Sequence, residues 1–486
     1  MSVKYDRRTV LQQLTLGATM AASGMSFWPT RRALAQGRQV TVPGQPLEDR
    51  YYIICLFNGG WDVLLSLDPR DPAIFTQQAA NDTKITPGYD RLASQPRSNG
   101  VYLPNRLAIA GSDQRAGVGA YLGDLTLDRN LADICIVRGI NMSTLAHTVG
   151  RVRARTGRPP SGTLPRGSSA ASWLARHYAQ DELAPNFALA EEVYNVDQPV
   201  NFDPTSAASV QDLVDTLTPT PVGGALDPSA YDAIDRLLDG AYPCAREGES
   251  SFMQTSAQAR LSADQMLARN LGHRFDFLAN TAEMDALRRH YGFSNSPAEL
   301  SLPPARGALA ARAITSGLAR VVSLTITDGL DTHFSDIGFQ DWPRDQGPNQ
   351  VAGWNAIARI MDDLRATPIG DGSGDSYWDR TTIVAYSDFG RTAMLNASGG
   401  RDHWLTSAMF LAGADIQGGQ VVGASSDVRM TPTFVNLRTG APDVANGTTL
   451  RPAHVWQSLF YNAGFDMGVD PADLRVPPLM PVLRNA

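Results

Sequence analysis

The sequence predicts an α/β fold, a doubly wound and mostly parallel sheet with helices on both faces. Three observations predict it. Short continuous apolar runs of strand length alternate with stretches of helical periodicity, the pattern of strands buried on both faces. Acidic residues or histidines follow several of these runs after a glycine break. These residues come from distant parts of a 486-residue chain, and an α/β sheet gathers such residues at the carboxyl ends of its strands.

The first 35 residues are expected to be an export leader. Asp6-Arg7-Arg8-Thr9 is followed by a mildly apolar stretch over residues 14–27 and by the small-x-small segment Ala33-Leu34-Ala35. This order of charged, apolar and small regions is that of a signal peptide, and the arginine pair resembles a twin-arginine (Tat) signal. The apolar stretch falls short of the ~20 residues a spanning helix needs, and no later segment is long and apolar enough for a stable membrane span. The Tat translocase is therefore the expected partner during export, with a periplasmic or secreted destination.

The leader carries a net +4, so its removal takes the formal charge from −7 to −11. An acidic mature chain argues against nucleic acid as a partner. Three cysteines cannot build a disulfide framework. Cys55 and Cys135 lie in apolar runs and read as core residues, and Cys244 lies in a loop-like Tyr242-Pro243-Cys244. A prior of ~150 residues per domain suggests three domains. The spread of the motifs favours one large domain over 36–486, with a mainly helical insertion at about 203–293.

Residues 51–57, Tyr-Tyr-Ile-Ile-Cys-Leu-Phe, read as a buried strand broken by Asn58-Gly59-Gly60. Residues 68–125 are rich in Pro, Gly, Asp and Asn and read as loop-heavy. A second strand is expected at 134–137, a helix from His147 to near Gly157, and another over 172–180. Beyond the insertion come a helix at 308–318, a strand at 321–326, a helix at 351–364, strands at 382–386 and 408–412, and a final helix at 454–463.

Four segments then carry the chemistry. Asp62 follows the first strand. Asp328 and Asp331-Thr332-His333 follow the strand at 321–326. Asp388, in Ser387-Asp388-Phe389-Gly390-Arg391, follows the strand at 382–386, and Gly400-Arg401-Asp402-His403 comes soon after. Carboxylates and imidazoles from such loops can close on a divalent cation, and such a centre serves phosphate or sulfate ester hydrolysis. Arg391 could pair with Asp388 or contact a substrate oxyanion bidentately. Of seven histidines, His177, His273, His290 and His454 fall on expected helices and read as core or surface residues.

These motifs, from Leu56-Phe57-Asn58-Gly59-Gly60-Trp61-Asp62 through Gly329-Leu330-Asp331-Thr332-His333 to Gly400-Arg401-Asp402-His403, resemble the Tat-exported family catalogued as domain of unknown function 1501. That family is in turn similar to the alkaline phosphatase superfamily, with its sulfatases, phosphopentomutases and cofactor-independent phosphoglycerate mutases. The resemblance implies an alkaline-phosphatase-like α/β/α sandwich with a two-metal site. It places metal ligands at Asp62, at Asp331 (or Asp328) with His333, at Asp388, and at His403. One metal, zinc, would fall to Asp331, His333 and His403. A second, of Zn²⁺, Mn²⁺, Mg²⁺ or Ca²⁺ type, would fall to Asp62, Asp388 and His147.

Two departures stand at the chemistry. Phe389 replaces the histidine of the superfamily's Asp-His-Gly motif. Its nucleophile position, nine residues before Thr156-Gly157, holds His147, with Thr148 beside it. His147 could attack as an imidazole or replace the lost ligand, and Arg391 or Arg151 could clamp an anionic small-molecule or polymeric ester. The same departures would also suit a catalytically degenerate relative that serves in binding or envelope assembly.

Overall fold

The computed structural model describes residues 49–484, apart from 97, 99, 180–181, 197, 200–201, 219–264, 267–268, 270, 467 and 469. The expected leader and Cys244 lie outside the described residues. Twelve strands matter for the site: β1 (Tyr51–Phe57), β2 (Tyr102–Ile109), β3 (Arg115–Gly119), β4 (Ile134–Asn141), β5 (Asn186–Leu189), β6 (Thr205–Ala207), β7 (Val321–Thr327), β8 (Thr381–Ser387), β9 (Gly390–Arg391), β10 (His403–Trp404), β11 (Thr406–Gly413) and β12 (Gln420–Val422). Ten of them form one sheet in the order β3-β2-β12-β4-β11-β8-β1-β7-β5-β6, and β9 pairs with β10 in a separate short ribbon.

The centre of the sheet is parallel. β1 lies between β7 and β8, and Phe57 at its end pairs with Thr327 and with Ser387. The three strands thus finish level, and the loops that follow them leave the sheet side by side. Only β11 and β3 run against their neighbours in the described sheet.

Burial on both faces explains the unbroken apolar runs. Ile53, Cys55 and Phe57 point into one core and Tyr52, Ile54 and Leu56 into the other. Helices α3 (Pro303–Thr315) and α4 (Gly347–Ala366) close the first core; α1 (His147–Thr156), α2 (Ala170–Tyr178) and α5 (Pro452–Asn462) close the second. Phe57, Trp61 and Trp354 stack in the first core, with ring centroids 4.2 Å apart for Phe57–Trp354 and 5.6 Å for Trp61–Trp354. Each such ring is worth roughly 1.5–3 kcal/mol in burial alone. The α/β class and the helix-covered, mostly parallel sheet are therefore as the sequence indicates.

Two features differ from the sequence reading. The stretch 68–125 contains the antiparallel hairpin β2–β3, which extends the sheet at one edge. The strand expected at 408–412 is present as β11 but runs antiparallel. The described parts of 203–293 include β6, which completes the other sheet edge, and a helix at Ala282–Tyr291 that packs on α3. No helix among the described residues is long and apolar enough to cross a membrane. Cys55 and Cys135 are buried free thiols.

One buried ionic group ties the loop after β1 to the far half of the sheet. Asp68 lies 2.8 Å from Arg70 Nη1 and 3.4 Å from Arg138 Nε on β4, and it accepts from the Ser425 hydroxyl beyond β12. Burial alone would raise its pKa, but the two guanidiniums and the hydroxyl outweigh burial and hold the carboxyl below its usual range. Such a depressed group stabilises the fold fully above the unfolded value of about 4 and loses that contribution as pH falls through the folded value. Asp68→Asn is expected to cost about 3–5 kcal/mol at pH 7 by leaving the buried Arg138 guanidinium without a carboxylate and Arg70 with Asp427 alone. In denaturant titrations at pH 7 and pH 3 the deficit should shrink at the lower pH. A deficit that stays constant between the two would refute the assignment.

Candidate functional site

The level ends of β7, β1 and β8 deliver the loops that build the site. After β1, Gly59 and Gly60 turn the chain at φ 113° and 84°. A Cβ at Gly59 would meet the Asp331 backbone nitrogen at 2.6 Å, and one at Gly60 would meet the Phe389 ring at 2.8 Å. The paired glycines therefore let the loop after β1 lie against the loops after β7 and β8.

Four side chains converge there. Asp331 Oδ1 lies 2.9 Å from His333 Nε2, 3.2 Å from His403 Nε2 and 3.4 Å from His147 Nε2. The two nitrogens His333 Nε2 and His403 Nε2 are 3.0 Å apart. Every imidazole is anchored through its other nitrogen. His147 Nδ1 faces Asp388 Oδ2 at 2.7 Å, His333 Nδ1 faces Asp402 Oδ1 at 3.0 Å, and His403 Nδ1 faces the Leu145 carbonyl at 2.7 Å. A carbonyl can only accept, so His403 Nδ1 carries the proton and Nε2 presents a lone pair. Carboxylates direct the other two rings in the same way. At His333 the assignment is reinforced, because Arg391 Nη1, which can only donate, lies 3.2 Å from Nε2.

Three imidazole Nε2 atoms thus crowd one carboxylate oxygen, as lone pairs where a ring is neutral and as N–H donors where it is protonated. His147 Nε2 is buried and makes no hydrogen bond. Lone pairs packed this closely repel unless something positive sits among them. Burial lowers the proton affinity of His147, but Asp331 and Asp388 outweigh it and bring its pKa up to about 9. Burial likewise opposes ionisation of Asp331, yet His147, His403 and Arg391 hold it far below the usual carboxylate range. Both shifts describe a cluster that attracts positive charge. His147, Asp331 and His403 together place three ligand atoms within 4.8 Å of one another. An imidazole held by a carboxylate or carbonyl through its far nitrogen is the usual second-layer arrangement around a metal. The residues present therefore fit a divalent cation.

Other residues expected at the site are placed differently. Asp62 is fully buried, with its carboxylate 2.8 Å from Arg401 Nε, accepting from Trp342 Nε1 at 2.8 Å and capping the turn at Leu64 N. It braces the site's loops and is not one of the converging ligand atoms. Asp388 stands behind His147 rather than beside it in a ligand shell. Its Oδ1 accepts from Gly59 N, and its Oδ2 serves both His147 and Arg151. Asp328 pairs with Arg306 and Asn58, so of the two candidates after β7 it is Asp331 that joins the cluster. Thr148 is exposed. Arg391 is wholly buried, with its donors turned inward onto protein acceptors. Phe389 is fully buried, its ring centroid 4.7 Å from that of His147 and 4.4 Å from that of His403. Hydrocarbon thus forms the floor of the site at this position.

The family model described as "Protein of unknown function (DUF1501)" matches residues 53–471. The chain belongs to the DUF1501 family. No curated protein matches it. Among the solved structures similar to this DUF1501 chain are the following two. A protein in the alkaline phosphatase superfamily from Vibrio parahaemolyticus shares 13% identity, with 88% of this chain and 74% of that one covered and a TM-score of 0.29. The PsFucS1 sulfatase from Pseudoalteromonas sp. shares 10% identity, with 92% and 78% covered and a TM-score of 0.27.

Sequence reasoning overlooked two contributors to this DUF1501 site, Asn58 and Asp402. Each sits inside a motif already singled out, and adjacency to Gly59 and His403 was the available signal. Asp62→Asn is expected to lower stability by about 3–5 kcal/mol, because Arg401 then loses its buried partner. Metal uptake per folded chain should be unchanged. Loss of metal at undiminished stability in a urea titration would return Asp62 to the ligand set.

Proposed function

We propose that this DUF1501 protein is an exported, zinc-dependent hydrolase of phosphate or sulfate esters on an alkaline-phosphatase-like fold. The supporting observation is the convergence of His147 Nε2, His403 Nε2 and Asp331 Oδ1, with each ring fixed from behind. Two imidazoles and one carboxylate suit zinc, and three protein ligands leave a position open for chemistry. His333, whose Nε2 adjoins this group while accepting from Arg391, supports the same centre from one side. Asp62 and Asp388 hold protein partners, which favours one cation over two. When bound, zinc would supply Lewis acidity toward an ester oxygen and an acidified water.

The chain's own residues set the conditions for that chemistry. Arg391 keeps Asp331 anionic. Asp388 fixes the His147 tautomer and turns Nε2 inward. Phe389 excludes water from the floor and leaves the open side toward solvent. The leader at 1–35 supports export by the twin-arginine route to the periplasm or beyond. A second reading, a binding or envelope-assembly protein on the same fold, draws support from Phe389 and from Thr148, which is exposed beside the superfamily's nucleophile position.

Elemental analysis of the exported protein should find about one zinc per chain, and chelation should abolish turnover of aryl phosphate and sulfate esters. His403→Ala should lose the metal. Because a Lewis acid contributes several kcal/mol, its turnover should fall by about 100-fold or more. Zinc without any ester turnover would select the binding reading. Full activity of His403→Ala would sink the assignment.

A further inference from the structure

We propose that Arg151 is the oxyanion-binding residue of this site, taking two oxygens of a phosphate or sulfate group through its Nε–Nη2 edge, and that Asn58 is its positioning residue. The inference rests on the hydrolase reading above and names the group that recognises its substrate.

Arg151 lies one turn after His147 on α1, so the two side chains share a helix face. Its Nη1 is engaged, lying 3.2 Å from Asp388 Oδ2 and 3.3 Å from Asn58 Oδ1. Among the described residues, its Nε and Nη2 make no hydrogen bond or ion pair, and about a quarter of the side chain (26%) is exposed. The open edge is the fork that binds two oxygens side by side. Elsewhere in the same chain Arg50 uses that edge on Asp415, with Nε at 2.7 Å and Nη2 at 3.1 Å. Of the two arginines the sequence offered for this part, Arg391 and Arg151, Arg391 has no donor to spare.

The orientation of Arg151 is fixed from two sides. Asp388 holds it to the residue that also aligns His147. Asn58 Nδ2 donates to Asp328 Oδ1 at 3.1 Å, and Asp328 is itself held by Arg306 Nη1 at 2.7 Å. This chain settles the Asn58 amide with its oxygen toward Arg151. Charge supports an anionic occupant. Arg151 and Arg391 stand against Asp388, Asp331 and Asp402, so a dication in the cluster leaves one positive charge to be met. The start of α1 lies at the same end, and Ala146 supplies no side-chain cap to its first-turn N–H groups.

The test is titration calorimetry of the zinc-loaded protein with inorganic phosphate and, separately, inorganic sulfate. Arg151→Met should weaken binding of either anion at least tenfold with zinc content unchanged, and Arg151→Lys should keep part of the affinity by charge alone. Asn58→Ala should weaken binding severalfold in the wild-type background and have no further effect in Arg151→Met, a non-additivity that a general packing defect does not produce. Wild-type affinity in Arg151→Met overturns the proposal. So does loss of zinc in both Arg151 variants, which would make the residue a support for Asp388, and so does failure of the zinc-loaded wild type to bind either anion. If the wild type takes up no zinc, the hydrolase reading fails. The same titrations on the metal-free protein then still decide Arg151, since equal affinities in wild type and Arg151→Met overturn its role.

Discussion

The site depends on one buried guanidinium. Arg391 has five N–H groups and all five are taken: Nε by the Gly60 carbonyl, Nη1 by the Arg401 carbonyl and His333 Nε2, and Nη2 by the Gly59 carbonyl and Asp331 Oδ1. These acceptors belong to the loops after β1 and β7 and to the segment before His403. A side chain from the loop after β8 thus binds the other three motifs together. Burial pushes its pKa down from the ordinary arginine value, but an arginine starts so high that it stays charged. A lysine has three donors and no planar fork, so it could not satisfy the same set.

That charge also shapes the electrostatics. Asp331 is the one carboxylate toward which all three histidines turn, and Arg391 helps to keep it ionised. Its other neighbours present nitrogen lone pairs, so the cluster has an anionic centre ringed by acceptors. Two states relieve it: a proton on an imidazole, or a cation bound by several ligands at once. The proton answers at one nitrogen only. A cation answers at His147, His403 and Asp331 together, and metal binding here is therefore in competition with protonation of the ligands.

Much of this was legible in the sequence, and what escaped follows one pattern. Strands β1, β7 and β8 could be read because burial on both faces makes their apolar runs continuous. The hairpin β2–β3 escaped because it sits at the sheet edge, where Leu103 and Leu107 are buried but Pro104 and Asn105 between them are exposed. Its alternation is short and crossed by Pro104. The direction of β11 leaves no mark on its residues. At the site, the sequence identified the aspartates and histidines as a group but not their separate roles. Asp62 and Asp388 both follow strands of the central trio, and both looked like ligands. What separates them is Arg401 in one case and His147 in the other, partners hundreds of positions away that only the fold brings near.

Phe389 is the residue at which expectation and structure meet most closely. A histidine there would offer another lone pair or proton to the cluster. The phenyl ring offers neither, and it packs between the rings of His147 and His403 on its polar side and Gly60 on the other. It fills the volume of a ligand without its chemistry and lowers the polarity beneath Asp331. In such a setting each remaining charge is screened less, so fewer ligands can hold a cation more firmly. His147, turned inward by Asp388, then supplies the nitrogen that position 389 does not. Phe389, after β8, and His147, at the start of α1 after β4, meet because α1 packs against the end of β8.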